Sequence, residues 1–196
     1  MTKKPRTFKQ LQKSITFEEI KQKAKEVTEI YATSVTICSQ EVIASEHGIT
    51  VKCLRELMDY AIVTNLVSRQ IADKVGKKTI KNQKNSGSAK KHSRKILRQR
   101  EENLAAIYST EQIKQIARDY VLRQEQPIIY FTQKYNLESD WLTRSIFQRA
   151  IVDNIVSDNM MKSMIQRSLR FDNSEYNQKY FEYLRKERIK KQKNSL

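Results

Sequence analysis

The chain has 196 residues, of which only three are glycine and two are proline. An all-β or α/β protein of this size needs many more turn residues, so the composition predicts an all-α fold. The formal net charge is +16 at pH 7, and the simplest partner for such a protein is a polyanion.

The sequence has neither a membrane segment nor a disulfide pattern. No apolar stretch is long enough to span a bilayer, and no hydrophobic segment follows the basic N-terminus as in a signal peptide. Cys38 and Cys53 form no Cys-x-x-Cys motif, and isolated cysteines are typical of reduced thiols. We therefore expect a cytoplasmic protein that does not contact a membrane.

Positive charge is concentrated in three segments. Residues 1–15 carry five lysines and arginines and residues 74–100 carry eleven, in both cases without an acidic residue. Residues 185–193 carry six against the single Glu187, and the stretches between these segments are slightly acidic. This pattern is typical of globular units with basic arms that bind a polyanion, although a merely solubilising linker has the same composition.

A first domain is predicted over residues 14–75, after a basic N-terminal arm over 1–13. Thr16-x-x-Glu19 has the spacing of a capping box, so a helix should begin there and extend to about residue 32. The stripe that this helix is expected to bury consists of Ile20, Ala24, Val27 and Tyr31.

Two further helices are predicted in this domain, one over about 39–46 and one from about residue 50. Gly48 separates them, and glycine easily takes the left-handed conformation that a helix C-cap requires. The last helix continues through AIVTNLVSRQIADKV, where we expect a break whose position the pattern does not define.

A basic linker follows over residues 76–106. It lacks apolar periodicity and contains Ser-Gly-Ser, so we expect it to be flexible or extended at least to about residue 92. The stretch 94–108 is compatible with a helix that continues into a second domain.

The second domain is predicted over residues 107–170. Ser109-x-x-Gln112 again resembles a capping box, and helices are expected over 110–124, over 127–134 and from about 138. A C-terminal helix with a basic tail is predicted over 171–196. Its apolar face suits docking onto a core or onto a second subunit, so a homodimer stays an open alternative. That face consists of Tyr176, Tyr180, Phe181 and Leu184.

The two domains resemble each other in sequence. AIVTNLVS at 61–68 matches AIVDNIVS at 150–157 in six of eight positions. EIKQKAKEV (19–27) similarly aligns with QIKQIARDY (112–120), and ASEHGITVKCL (44–54) aligns with TQKYNLESDWL (132–142). The last pair places Asn136 opposite Gly48. We interpret this as an internal duplication into two similar helical domains.

Residues 40–59 resemble the helix-turn-helix superfamily of bacterial and phage DNA-binding proteins. Gly48 matches the turn glycine of that family and Ala44 matches the small residue where the two helices cross, whereas His47 departs from the pattern. The buried positions of the motif correspond to Ile43, Ile49, Leu54 and Leu57.

The resemblance implies that the helix from Thr50 enters the major groove of duplex DNA with its N-terminus first. The residues expected to contact bases are Thr50, Val51, Lys52 and Arg55. The residues expected to contact the phosphate backbone are Lys77, Lys78, Lys81, Lys84, Lys90, Lys91, Arg94 and Lys95.

The second domain offers a weaker set of contacts, because its corresponding helix begins with acidic residues. Ser139, Thr143 and Arg144 are the candidates for a second reader, whereas Trp141 is expected in the core. The alternatives are a diverged domain that dimerises and a surface for another protein.

Catalysis finds little support in the sequence, so no enzyme, no cofactor and no metal site is expected. His47, Cys38 and Cys53 match no zinc spacing, and no phosphate-binding loop or nucleophile elbow is present.

The predicted function is sequence-specific binding of double-stranded DNA, as a transcriptional regulator of a bacterium, phage or mobile element. The alternatives are phage DNA packaging, an accessory role in replication or segregation, and a helical protein-interaction module that does not read DNA.

Overall fold

The computed structural model describes residues 5–34, 40–82 and 87–194, and these residues form helices joined by short turns. The predicted all-α class is confirmed, because this part of the chain contains no β-strand and only one isolated bridge, between Arg6 and Ile49. The helices are α1 (Phe8–Ser14), α2 (Phe17–Thr33), α3 (Gln40–Glu46), α4 (Val51–Val63), α5 (Arg69–Asn82), α6 (Gly87–Ile107), α7 (Thr110–Leu122), α8 (Ile128–Lys134), α9 (Asp140–Val152), α10 (Asp158–Phe171) and α11 (Glu175–Lys193).

Side-chain caps explain where the long helices begin. At the start of α2, the Glu19 carboxylate accepts from the Thr16 backbone N–H at 2.7 Å and the Thr16 hydroxyl accepts from the Glu19 N–H. Ser109 and Gln112 form the same reciprocal pair before α7. Both predicted capping boxes are confirmed, because each satisfies backbone donors that have no partner inside the helix.

The chain divides into two compact units, residues 1–100 and residues 101–196, and the boundary falls inside the predicted linker. In the first unit, α2 packs against α4 and α5, and α3 packs against α4. The core of this unit is lined by fully buried apolar side chains, among them Val27, Tyr31, Ile43, Leu54 and Leu57.

The second unit has its own core, in which α7 packs against α9 and α10 and α8 packs against α9. The C-terminal helix α11 also packs on α9, where Leu184 is 1% exposed. Tyr180, Phe181 and Leu184 of the predicted apolar face pack on the core of this unit, whereas Tyr176 is 76% exposed.

α4 and α9 bury side chains at the same positions when the sequence is shifted by 89 residues. The buried side chains of α4 are Cys53, Leu54, Leu57, Met58, Ala61 and Ile62. Their counterparts in α9 are Leu142, Thr143, Ile146, Phe147, Ala150 and Ile151. The same shift relates Ala72, Val75 and Gly76 of α5 to Met161, Met164 and Ile165 of α10.

The turns repeat as well. Gly48 and Asn136 have φ values of +60° and +49°, and Asn65 and Asn154 have φ values of +60° and +56°. Glycine and asparagine tolerate this left-handed region better than other residues do. These matches favour the predicted internal duplication, which itself stays an interpretation.

The first helices of the two units match at their C-terminal ends rather than along their whole length. The sequence comparison placed 19–27 opposite 112–120, a shift of 93 residues. However, α2 has 17 residues and α7 has 13, and the buried Tyr31 and Tyr120 are related by a shift of 89. Four residues are close to one helical turn, so α2 gains a turn and keeps the same face buried.

The basic linker is not extended as predicted. α5 continues to Asn82, and α6 is helical from Gly87, well before the expected limit of disorder near residue 92. Ala89 is buried, and Ile96 and Leu97 pack against the core of the first unit, so the helix is held by apolar contacts that its basic composition concealed. The expected break in the preceding segment lies between α4 and α5, at residues 64–68.

The N-terminal arm is likewise part of the first unit from residue 5 onward. Arg6 donates its N–H to the Gly48 carbonyl and accepts from the Thr50 N–H, both at 3.0 Å. Leu11 of α1 is fully buried. The predicted basic N-terminal arm over 1–13 therefore packs on the first unit from residue 5 onward, because Leu11 anchors the helix that follows the bridge.

Candidate nucleic-acid interface

The motif around Gly48 forms two helices joined by a tight turn. α3 ends at Glu46 and α4 begins at Val51, and the Ile49 N–H closes the turn by donating to the Ala44 carbonyl at 2.9 Å. α2 packs across both helices and completes a three-helix arrangement. Two helices and a tight turn therefore lie at the residues for which the sequence predicts them.

The four residues predicted to contact bases differ in their exposure. Lys52 and Arg55 are exposed on α4. Val51 is half-buried against the core, and the Thr50 hydroxyl caps the helix by accepting from the Cys53 N–H at 3.1 Å. The structure therefore leaves Lys52 and Arg55 as the main candidates for contact, and gives Thr50 a capping role.

Arg55 is held by a network of hydrogen bonds that sequence reasoning did not find. Its Nε donates to Gln40 Oε1 at 2.7 Å, and Gln40 Nε2 donates to the Tyr31 hydroxyl at 3.4 Å. Asn82 also donates to that hydroxyl, at 3.2 Å. Gln40 is only 7% exposed, so Arg55 extends from a fixed, largely buried support.

Most of the predicted phosphate contacts are exposed basic side chains of α5 and α6. The exposed members are Lys77, Lys81, Lys90, Lys91, Arg94 and Lys95. Lys84 lies outside the described residues. Lys78 is not free to contact a phosphate, because its ammonium is half-buried and donates to the carbonyls of Tyr31 at 2.8 Å and Ser34 at 3.1 Å.

The N-terminal part of α6 lies beside the exposed face of α4. His92 Nε2 and Asp59 Oδ2 are 3.0 Å apart, and Lys52, Arg55 and Ser88 line the same cleft as this pair. Burial raises the pKa of the Asp59 carboxyl, and the nearby His92 opposes that effect. The exposed base-reading candidates and the basic helix α6 therefore belong to one surface of the first unit.

The second unit places its three predicted contacts differently. Ser139 caps α9 by accepting from the Leu142 N–H at 3.1 Å, and Arg144 is exposed. Thr143 is fully buried and its hydroxyl lies 2.9 Å from that of Thr132, so its prediction as a contact residue is wrong. Trp141, which we expected in the core, is 61% exposed.

The positions of Thr143 and Trp141 both reflect a shift of one residue in the alignment of the two units. The alignment of 44–54 with 132–142 has a shift of 88, which the structure retains for Gly48 and Asn136. From the N-caps Thr50 and Ser139 onward the shift is 89. Trp141 therefore corresponds to the exposed Lys52, and Thr143 corresponds to the buried Leu54.

The described residues of this surface include no set of metal ligands. In the described parts of the chain, no three His, Cys, Asp or Glu side chains are grouped as a metal site would require. Burial raises the pKa of the Cys53 thiol to about 11, so this side chain is a protonated core residue at neutral pH.

No protein-family model, curated protein or solved structure matches this chain. A functional assignment therefore depends on the residues of the chain itself. Within residues 5–34, 40–82 and 87–194, no helix combines the length and the apolar character needed to cross a bilayer.

Proposed function

We propose that the protein binds duplex DNA through the helix-turn-helix of its first unit and acts as a cytoplasmic regulator of transcription in a bacterium, phage or mobile element. One observation carries this proposal: Lys52 and Arg55 are exposed on the N-terminal half of α4, beside the basic helix α6. The proposal gives the protein no catalytic role and no cofactor.

Arg55 is the residue that we expect to specify a base. Arginine recognises guanine through two parallel hydrogen bonds, which here would use the terminal guanidinium nitrogens, since Nε already donates to Gln40. The fixed orientation lowers the conformational entropy that the side chain loses on binding. Lys52 and the exposed lysines of α6 would contact phosphates and set the register of the protein on the duplex.

Selection from random duplex DNA with the full chain tests this proposal. We expect one enriched motif, because only the first unit combines the exposed basic pair with a basic neighbouring helix. Arg55→Ala should weaken binding to that motif by about tenfold or more and relax the preference at one base pair. The matched control is Arg144→Ala, the corresponding change in the second unit, which should leave the affinity nearly unchanged.

The phosphate contacts have a separate signature. The double change Lys91→Ala and Lys95→Ala should weaken binding to all sequences alike and lower the slope of log K against log salt by about 0.9 per lost contact. The corresponding control on α11 is Lys179→Ala with Lys186→Ala. Equal binding by wild type and Arg55→Ala at matched salt would show that α4 does not read DNA.

The second unit supports a different candidate function, contact with another protein. Its exposed aromatic side chain Trp141 stands where the first unit has Lys52, and exposed tryptophan is enriched at protein interfaces. Absence of any enriched motif in the selection would favour this interaction role for the whole chain. Enrichment of two spaced motifs would instead show that both units read DNA.

A further inference from the structure

We propose that the first unit binds a small molecule with an apolar body and one anionic group, in the cleft between α4, α5 and α6. The cleft encloses about 360 Å³, which falls within the range of small-molecule pockets. It is lined by residues of the first unit alone, so the site is complete within that unit.

The floor of the cleft is apolar. Met58 and Ile62 contribute from α4, Val75 from α5, and Ile96 and Leu97 from α6. Such a surface gains free energy when a ligand removes it from water, in proportion to the apolar area covered.

Small side chains of α5 and α6 line one wall of the cleft. The small residues that line the cleft are Ala72, Gly76, Ser88, Ala89 and Ser93. The helices approach closely here, since a Cβ atom added to Gly76 would lie 2.4 Å from Ser93 Oγ.

The second unit has a similar arrangement of helices but has larger residues at two of the positions that match these small ones. Its matching buried positions on α10 are Met161 in place of Ala72 and Ile165 in place of Gly76. Larger side chains occupy these positions in one unit, and the other unit keeps them small.

The rim of the cleft defines the charge of the ligand. Lys52 and Arg55 are its exposed cationic side chains. The acidic residues of the rim, Glu56 and Asp59, are partly buried, and Asp59 contacts His92 at 3.0 Å. A carboxylate or sulfonate at the mouth would therefore approach Lys52 and Arg55, while the apolar body extends toward Ile62 and Ile96.

Ligand binding can be measured without DNA, so this inference does not rest on the proposed function. The probes are 1-naphthoate and its neutral counterpart 1-naphthamide, titrated into the full-length chain and followed by backbone amide NMR shifts. We expect saturable shifts from 1-naphthoate confined to residues that line the cleft. The neutral amide should bind about fivefold more weakly, because it lacks the charge that faces Lys52 and Arg55.

A cavity-filling variant tests the location. Ala72→Met introduces the residue that the second unit has at the matching position, and should weaken 1-naphthoate binding at least about tenfold. Ala106→Met is the matched control, because Ala106 is an exposed residue of α6 outside the cleft. Lys52→Ala leaves the floor and Arg55 intact and should reduce the difference in affinity between the two probes.

The inference is overturned if neither probe gives saturable shifts, if the shifts lie elsewhere, or if Ala72→Met binds 1-naphthoate as tightly as the wild type does. DNA binding is a separate measurement, so failure of the DNA proposal can be distinguished from failure of the ligand site. Because the site shares Lys52 and Arg55 with the DNA surface, saturating 1-naphthoate should weaken DNA binding if both proposals hold. Naphthoate binding by a chain that binds no DNA would uphold the ligand site alone.

Discussion

The surfaces of the two units differ much more than their cores do. Where the first unit has Lys52 on α4, the second has Trp141 on α9, and α11 of the second unit exposes Tyr176 and Tyr183. These three aromatic side chains are 61%, 76% and 49% exposed. The buried positions, in contrast, repeat residue by residue between α4 and α9. Similar patterns of buried residues thus support an exposed lysine on α4 in one unit and an exposed tryptophan on α9 in the other.

Each unit also has a cation, half-buried in the first unit and buried in the second, that contacts the end of its first long helix. Lys78 lies 4.8 Å from the centre of the Tyr31 ring and donates to the Tyr31 carbonyl. Arg167, which is 89 residues further along, lies 3.8 Å from the centre of the Tyr120 ring and donates to the Tyr120 carbonyl. In each unit, a cation near the C-terminus of a helix satisfies carbonyls that have no partner inside the helix.

The largest expected difference between the units concerns these two cations. Arg167 is 2% exposed and donates to three carbonyls, including those of Gln124 and Gln126, so Arg167→Ala leaves them without a donor. We expect it to lower the unfolding free energy of the second unit by about 3 kcal/mol. Lys78→Ala should cost the first unit about 1 kcal/mol, because Lys78 is half-buried and water can replace its ammonium.

Hydrogen exchange of the buried amides in each unit measures both effects. Arg167→Lys copies the first unit, and should retain part of the stability that Arg167→Ala loses. Equal losses from Lys78→Ala and Arg167→Ala would show that the extra carbonyl contacts of Arg167 contribute nothing.

A smaller effect is expected at the left-handed turns. Gly48 has φ +60°, and nothing lies within 4 Å of an added Cβ, so Gly48→Ala should cost about 1 kcal/mol through backbone strain alone. Gly48→Asn copies Asn136 and should cost clearly less, because asparagine tolerates this conformation. Urea unfolding followed by circular dichroism compares the two variants, and an equal cost for both would contradict the assignment of strain.

The smallest effect is expected at Asp59, whose counterpart in the second unit is Gln148. Burial raises the pKa of Asp59 above that of an unfolded aspartate, so the ionised carboxyl lowers stability at neutral pH, and stability is regained as the pH falls through the raised pKa. Asp59→Gln should therefore stabilise the first unit by about 0.5 kcal/mol at pH 7, a small value because the side chain is partly exposed.

The pH dependence provides the control for this change. The advantage of Asp59→Gln should shrink as the pH is lowered through the titration of Asp59, which urea midpoints at several pH values will show. An advantage that does not change with pH would arise from packing rather than from the charge.

Local signals in the sequence were sufficient for most of the helices. The two capping boxes, the turn glycine Gly48 and its counterpart Asn136 act within a few residues, and each lies where it was expected. The contact residues of the second unit were harder to predict, because one additional residue before α9 rotates every later side chain by about 100° around the helix axis. That rotation places Thr143 inside and Trp141 outside.

The sequence by itself determined the all-α class, most of the helices and the repeated pattern of buried residues, because these follow from local capping and from helical periodicity. Tertiary structure alone decided that the basic segment after α5 is a helix docked on the first core through Ala89 and Ile96. It also decided that Lys78 is engaged inside the first unit and that Arg55 is supported by Gln40. These outcomes depend on contacts between residues far apart in the chain, and composition and periodicity contain no information about such contacts.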